Sequence, residues 1–325
     1  MAGGIPELGF GVGTAFFKSS GQPDREALLT RSVHAALDAG FRHIDEAEMY
    51  ENEATTGEAL RAWLARNPGT PRSSLFVTSK VMTVEAGIEN VCRRSLAAMK
   101  LEYFDLYLVH APWKKSGAPF EMPLAQVWKQ MEALVDAGLV RSIGVSNWRI
   151  ADLQQIVDDA RILPACNQIE AHPYLQQPAL MRYCREHSIA VVAYSPLAPL
   201  TRPELRGGAI DAAVEAAAVA HGRSPAQILL RWSMQTGRLP ITTSSRSDRL
   251  SEYMGSLDFE LSNAEVAAIS DAGALKPQRF FWKQPPWILR IFSKIPMLQR
   301  MLPPAGQFSD DPSLEEDTSG KEIDR

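Results

Sequence analysis

The feature that most constrains this chain is a repeated alternation. Short runs rich in β-branched and aromatic residues are each followed by a longer stretch whose apolar residues recur at helical spacing. The β-rich runs are FRHIDEA (41–47), LFVTSKV (75–81), DLYLVHA (105–111), VRSIGVSN (140–147), ACNQIEAH (165–172), AVVAYSPL (190–197) and LPITTSS (239–245). Between them AGIENVCRRSLAAMK reads as a helix, LAQVWKQMEALVDAG as a helix stopped by Gly138, and PALMRYCREHSI as a helix opened by Pro178. One more strand is expected among the alanine-rich residues between Ile210 and Gln235.

Strands that are apolar almost throughout belong to a parallel sheet with helices on both faces. About eight such units in one chain point to an α/β fold of the closed (β/α)8 type, a TIM barrel, rather than an open doubly wound sheet. No G-x-G-x-x-G opens a helix after the first strand, which weakens the open dinucleotide-binding alternative. GFGVGT near residue 9 reads as the turn of an N-terminal hairpin capping the barrel, and residues 1–282 as one barrel domain. Residues 283–305 read as an amphipathic C-terminal segment interrupted by Pro296, with cover of the pocket as the leading role and a membrane-surface helix or a partner-binding element as the others. Residues 306–325 are acidic and poor in apolar side chains, so disorder is expected there.

Composition narrows the function classes. Formal net charge is −4 with no long basic run, which argues against a nucleic-acid binder. The N-terminus lacks a signal-peptide pattern and no uncharged apolar run is long enough to span a bilayer, so a cytoplasmic protein without an integral membrane segment is expected. A monomer is the expected oligomeric state, though no sequence feature fixes it. Cys92, Cys166 and Cys184 form no C-x-x-C pair and read as reduced, packed thiols, with no metal site.

A barrel of this kind concentrates its chemistry at the C-terminal ends of its strands. Asp45, Lys80, His110, Ser146 with Asn147, Gln168 and Tyr194 all stand at such ends. Each alone has an ordinary explanation: Asp45 as a helix cap, Tyr50 as a packed ring, Lys80 as a solvated strand end, His110 as a satisfied core histidine. Recurrence at the same end of successive strands favours one shared mouth. A phenol is a poor acid, with an unperturbed pKa of about 10. A lysine ammonium beside it favours the phenolate and so makes it a better proton donor, and a carboxylate holds that lysine charged. A histidine next to the phenol orients a carbonyl oxygen and shares in proton transfer. This is half of a carbonyl reduction, and the missing hydride implies a nicotinamide cofactor.

GFRHIDEAEMYENEATTGEAL, LFVTSK, DLYLVHAP, RSIGVSNW, NQIEAHPYLQQPALMRYCREHSI and VVAYSPLAP resemble, in order, successive signatures of the aldo-keto reductases, over roughly residues 5 to 282. The resemblance implies Tyr50 as general acid, Lys80 and Asp45 as the pair that tunes it, and His110 as the carbonyl-orienting partner. It also implies NADPH across the barrel top: Tyr194 stacked on the nicotinamide, Ser146, Asn147 and Gln168 on its carboxamide, and Ser195 and Leu197 near the pyrophosphate. The stretch ITTSSRSDRLSEY (241–253) is similar to the family's segment for the adenosine 2′-phosphate. There Thr243 stands where many members place lysine, while Ser244, Ser245, Arg246 and Arg249 are expected at the phosphate and Glu252 at the adenine. Phe16, Phe17, Trp113 and Trp148 are expected to line an apolar pocket for a small-molecule carbonyl substrate. The opening GFGVGTAFF, ITTSSR and RFFW look most like fungal keto-reductase members, some of which serve biosynthetic pathways. Two other classes share these residues: a non-redox isomerase or cyclase using Tyr50 without net hydride transfer, and a slow-turnover cofactor-binding sensor subunit.

Overall fold

In this computed structural model, which describes residues 4–17 and 24–281, eight parallel strands close into one barrel. They are β1 (Gly9–Gly11), β2 (His43–Asp45), β3 (Phe76–Val81), β4 (Phe104–Val109), β5 (Val140–Ser146), β6 (Cys166–Glu170), β7 (Ala190–Tyr194) and β8 (Arg238–Thr242). Each pairs in parallel with its neighbour in sequence, and β1 closes the ring against β8. Around them run α1 (Arg25–Asp38), α2 (Glu53–Arg66), α3 (Ile88–Met99), α4 (Leu124–Asp136), α5 (Ile150–Leu153), α6 (Pro178–Glu186), α7 (Ala198–Thr201), α8 (Asp211–His221), α9 (Pro225–Gln235), α10 (Ser247–Met254) and α11 (Asn263–Ala274). Gly138 follows α4 at φ 68°, as its stop signal requires, and Pro178 opens α6. The amphipathic segment 283–305, the acidic segment 306–325 and Trp282 lie outside the described residues.

Two expected placements are corrected. The eighth strand is not between Ile210 and Gln235; those residues form α8 and α9. Alanine favours helix over strand, and Ser224 with Pro225 starts α9 cleanly: the Ser224 hydroxyl accepts from the Gln227 N–H. The missing strand is instead β1, inside the glycine-rich GFGVGT, and among the described residues no hairpin precedes it. Gly9 is there because the barrel interior has no room for more. A Cβ on it would stand 2.2 Å from Ile241 Cδ1 and 2.9 Å from His43 Nδ1. Phe10, on the opposite side of the pleat, packs outward with its ring 6.1 Å from Phe41 and 6.4 Å from Phe16.

Most of the buried apolar residues among those described form two layers. The larger lies between strands and helices and includes Phe10, Leu37, Trp63, Val91, Phe104, Tyr107, Trp128 and Ile228. The smaller fills the barrel: Leu106 and Leu108, which alternate with the outward Tyr107, meet Cys166, Val192 and Ile241. The register carries this inner layer upward into polar residues. Lys80 sits beside Leu108, Gln168 beside Ser146, and Glu170 beside Tyr194. Cys92, Cys166 and Cys184 are free and buried. Among the described residues no helix is long and apolar enough to cross a membrane.

Overfilling the barrel tests the β1 assignment. Gly9→Val is expected to lower stability in urea denaturation by about 1–3 kcal/mol, the usual cost of forcing methyl groups into a filled interior. Wild-type stability in that variant would place residue 9 in a loop.

Candidate active site

The site is built on a buried cation. Lys80, near the end of β3, is 0 % exposed, and its Nζ donates to Asp45 Oδ2 at 2.7 Å, to the Glu46 carbonyl at 2.9 Å and to the Tyr50 hydroxyl oxygen at 3.3 Å. An ammonium has three N–H donors and no acceptor, so these partners use all three. It follows that the Tyr50 oxygen accepts here, which leaves its own proton free to be given elsewhere. Burial alone would disfavour the ammonium, but Asp45 and Tyr50 outweigh it and raise the Lys80 pKa.

Local structure aims the phenol. The chain leaves β2 at Asp45, turns through Ala47 and enters a short 3-10 turn, Glu48–Tyr50. Glu48 ties this turn to the end of β3 by accepting the backbone N–H groups of Met82 at 2.9 Å and Thr83 at 3.1 Å. Asn52 ties it to the loop after β1, donating to the Val12 carbonyl at 2.9 Å and the Phe16 carbonyl at 3.1 Å. Gly13 in that loop backs the phenol: a Cβ there would stand 3.0 Å from Tyr50 Cζ. Phe17 meets the Tyr50 ring edge-on at 4.9 Å, and His110 does so at 5.9 Å.

The electrostatics differ from the expectation in sign. Burial pushes the Tyr50 phenol up to about 12; Lys80 pulls it down, as expected, but does not win. Burial, reinforced by Lys80, holds the His110 imidazole well below its ordinary pKa, so the ring is neutral. His43, beneath Asp45, is held by burial at about 4 and meets the Thr78 hydroxyl at 2.9 Å.

Around this centre the other strand ends are linked by hydrogen bonds. Gln168 Nε2 donates to Asp45 Oδ1 at 2.8 Å, which turns it toward the carboxylate. Asn147 Nδ2 donates to the His110 carbonyl at 2.9 Å and to Ser146 Oγ at 3.0 Å, and Ser146 Oγ donates to the Gln168 carbonyl at 2.8 Å. The Tyr194 hydroxyl donates to Asn147 Oδ1 at 2.8 Å. Asn147 and Ser195 hold left-handed backbone angles, φ 62° and 56°, at the ends of β5 and β7. Such angles are uncommon for residues with a Cβ and often mark functional loops. Leu197 is buried just before α7.

The residues expected at a phosphate gather at the start of α10. Thr243 has a buried hydroxyl with no hydrogen-bond partner, and Ser244 Oγ accepts the Arg246 backbone N–H at 3.0 Å. Ser245 and Arg249 are exposed. Arg246 is engaged by the Asp248 carboxylate through Nε at 3.2 Å and through Nη2, and the Glu252 carboxylate accepts from the Ser224 hydroxyl. The four aromatic residues expected at the substrate separate. Phe16 and Trp148, 0 % and 1 % exposed, are enclosed in the core, whereas Phe17 lies against Tyr50 and Trp113 packs with Met82, Ala111 and Met49.

Sequence reasoning missed Glu46 and Glu170. Glu46 is completely buried: Oε1 accepts the Ala47 N–H at 3.0 Å and Oε2 has no partner. Burial pushes its carboxyl up to about 8. Acidic residues at 46 and 48 flank the same turn and look alike in the sequence; only the folded chain shows that Glu46 is enclosed. Glu170 is likewise buried and binds backbone 110 and 111 residues away, which no local pattern signals.

Comparisons with known proteins match this arrangement to one group. A sequence model described as "Aldo/keto reductase family" matches residues 7–274. An NAD/NADP-dependent indole-3-acetaldehyde reductase of Schizosaccharomyces pombe is 38 % identical over 285 residues, covering 86 % of this chain and 95 % of that protein. A 9,11-endoperoxide prostaglandin H2 reductase of Trypanosoma cruzi is 35 % identical, covering 85 % and 93 %. Among solved structures, an aldo-keto reductase of Bombyx mori in complex with NADP superposes with a TM-score of 0.75 at 32 % identity, covering 82 % of this chain and 89 % of that one.

The buried Glu46 carboxyl gives a pH test. The folded chain keeps its proton up to about pH 8, whereas the ordinary value is 4.5, so folding takes up a proton in that window. Its contribution to stability is therefore fully present at low pH and is lost as pH rises toward 8. Glu46→Gln, which stays neutral, is expected to be more stable than wild type in urea denaturation at pH 8, with the difference shrinking by pH 4.5. A difference independent of pH would show that Glu46 titrates normally.

Proposed function

The chain belongs to the aldo/keto reductase family and is an NADP-dependent oxidoreductase acting on carbonyls, and on that footing we propose that it reduces an aldehyde or ketone to the alcohol with Tyr50 as the proton donor. The observation that carries this reading is the saturated Lys80 ammonium, which makes the Tyr50 oxygen an acceptor and leaves its O–H for the substrate oxygen.

Bound NADPH supplies the hydride that no side chain can give. Tyr50 donates its proton as negative charge develops on the carbonyl oxygen, and Lys80, steadied by Asp45, stabilises the phenolate left behind. The high pKa of Tyr50 keeps it protonated across the neutral range, so the donor is always loaded. His110, being neutral, serves as a hydrogen-bonding partner that orients the carbonyl rather than as a second acid. Phe17 and Trp113 are assigned to the substrate wall and favour apolar carbonyl compounds.

The residues present suit the cofactor. Tyr194 is assigned to stack on the nicotinamide, with Asn147, Ser146 and Gln168 for its carboxamide; directional groups of this kind decide which ring face meets the substrate. Ser195 and Leu197 are assigned to the pyrophosphate. The unpartnered Thr243 hydroxyl, Ser244, Ser245, Arg246 and the exposed Arg249, at the N-terminus of α10, suit a 2′-phosphate, and Glu252 the adenine.

Two variants test these roles. Tyr50→Phe is expected to lower kcat for a reactive ketone by about a hundredfold or more while NADPH affinity, measured by fluorescence titration, stays unchanged. Near-normal turnover would require another acid. Arg249→Ala is expected to weaken NADPH binding about tenfold or more, with NADH unaffected, because only NADPH carries the extra phosphate. Equal losses for both cofactors would place Arg249 elsewhere on the dinucleotide.

A further inference from the structure

Glu170 is a completely buried carboxylate that the proposed chemistry does not use. It ends β6 directly beside Tyr194 of β7, its partner in the sheet register. Its oxygens accept the backbone N–H of Phe280 at 3.0 and 3.2 Å and that of Phe281 at 2.9 Å. His172, also buried and held neutral by burial, meets it at 3.3 Å. A buried carboxylate needs donors, and here a distant stretch of main chain supplies two of them.

The same stretch is gripped from its other sides. Gln278 donates its N–H to the Tyr174 carbonyl at 2.8 Å, Arg279 donates to Gln177 Oε1 at 2.9 Å, and Gln177 Nε2 donates to the Glu170 carbonyl at 2.8 Å. The Arg202 guanidinium, just past α7, lies 4.8 Å from the ring centre of Phe280 and 4.8 Å from that of Phe281. Phe281 then meets the Tyr194 ring edge-on at 5.9 Å. Tyr194 is thus held at its hydroxyl by Asn147 and braced at its ring by a residue 87 positions later, whose backbone is fixed by the carboxylate beside Tyr194 itself.

We propose that Glu170 and Phe281 are positioning residues for Tyr194: Glu170 pins the chain at 280–281, and Phe281 sets the angle of the ring on which the nicotinamide lies. The inference rests on the reading of Tyr194 as the nicotinamide platform. A misaligned platform costs rate rather than adenosine binding, because hydride transfer depends on ring orientation while the adenosine end is held at α10.

The test compares Glu170→Gln, Phe281→Ala and Phe281→Leu in the full chain. Three quantities are read: kcat at saturating NADPH, calorimetric affinity for adenosine 2′,5′-bisphosphate, and hydrogen exchange of the peptide containing Phe280 and Phe281. Glu170→Gln and Phe281→Ala are expected to lose about tenfold in kcat, the scale of a small misplacement, with bisphosphate affinity unchanged. Glu170→Gln also speeds exchange at 280–281, and Phe281→Leu, which keeps bulk against the ring, recovers most of the rate. Retained kcat in the first two variants, parallel loss of bisphosphate affinity, or a leucine variant no better than alanine would each overturn the positioning role. Absence of NADPH-dependent turnover in the wild type would overturn the cofactor reading, and this inference with it, before any variant is compared.

Discussion

The structure turns on keeping one ammonium charged where water does not reach. Removing a cation from water costs several kcal/mol unless it is paired and fully hydrogen-bonded. Lys80 meets that condition through a carboxylate, a main-chain carbonyl and a phenol oxygen, each delivered by the eleven-residue stretch 41–51 that crosses from β2 into the turn above it. Because all three donors are taken, the direction of the Lys80–Tyr50 bond is decided, and with it the side of the phenol from which a proton can leave. The stabilising and the chemical arrangement are the same set of bonds.

That arrangement requires a barrel. Parallel strands bring residues of like register to one level, so polar side chains one strand apart meet above the aliphatic layer of Leu106, Leu108, Val192 and Ile241. It also requires β1 to be thin: Gly9 lets Ile241 and His43 fill the interior, and Gly13 leaves the space that the Tyr50 ring occupies. The mouth is then bordered by segments outside the barrel strands: the turn that Glu48 ties to the end of β3, and residues 280–281, clamped by Glu170 of β6 and by Arg202.

Electrostatic values show the same dependence on surroundings. A lysine beside a phenol lowers its pKa, and that contribution is present at Tyr50, yet burial is larger and the net change is upward. Glu46 is adjacent to Asp45 in sequence, but one carboxyl is bound to the ammonium and the other is enclosed with an oxygen that has no partner. Neighbouring carboxyls therefore meet different surroundings because alternate residues on a strand end face different environments.

The sequence by itself determined the alternation of strands and helices, the closed parallel barrel, and the presence of Asp45, Tyr50, Lys80 and His110 at one end of it. The elements and the strand-end residues follow from periodicity and from turn and cap residues, which act over a few positions, while the place of Tyr50 beside Lys80 is what the resemblance to the aldo-keto reductases implied. Local signals misled where one residue type serves two purposes: glycine in GFGVGT marks a crowded strand rather than a turn, and alanine between 210 and 235 builds helices. Tertiary structure alone decided that Phe16 and Trp148 face the core while Phe17 faces Tyr50, that Arg246 is occupied by Asp248, and that Glu170 holds the backbone of Phe280 and Phe281. Each of these depends on which side of an element meets which neighbour, and that is set when the barrel closes, not by the residues that flank each position.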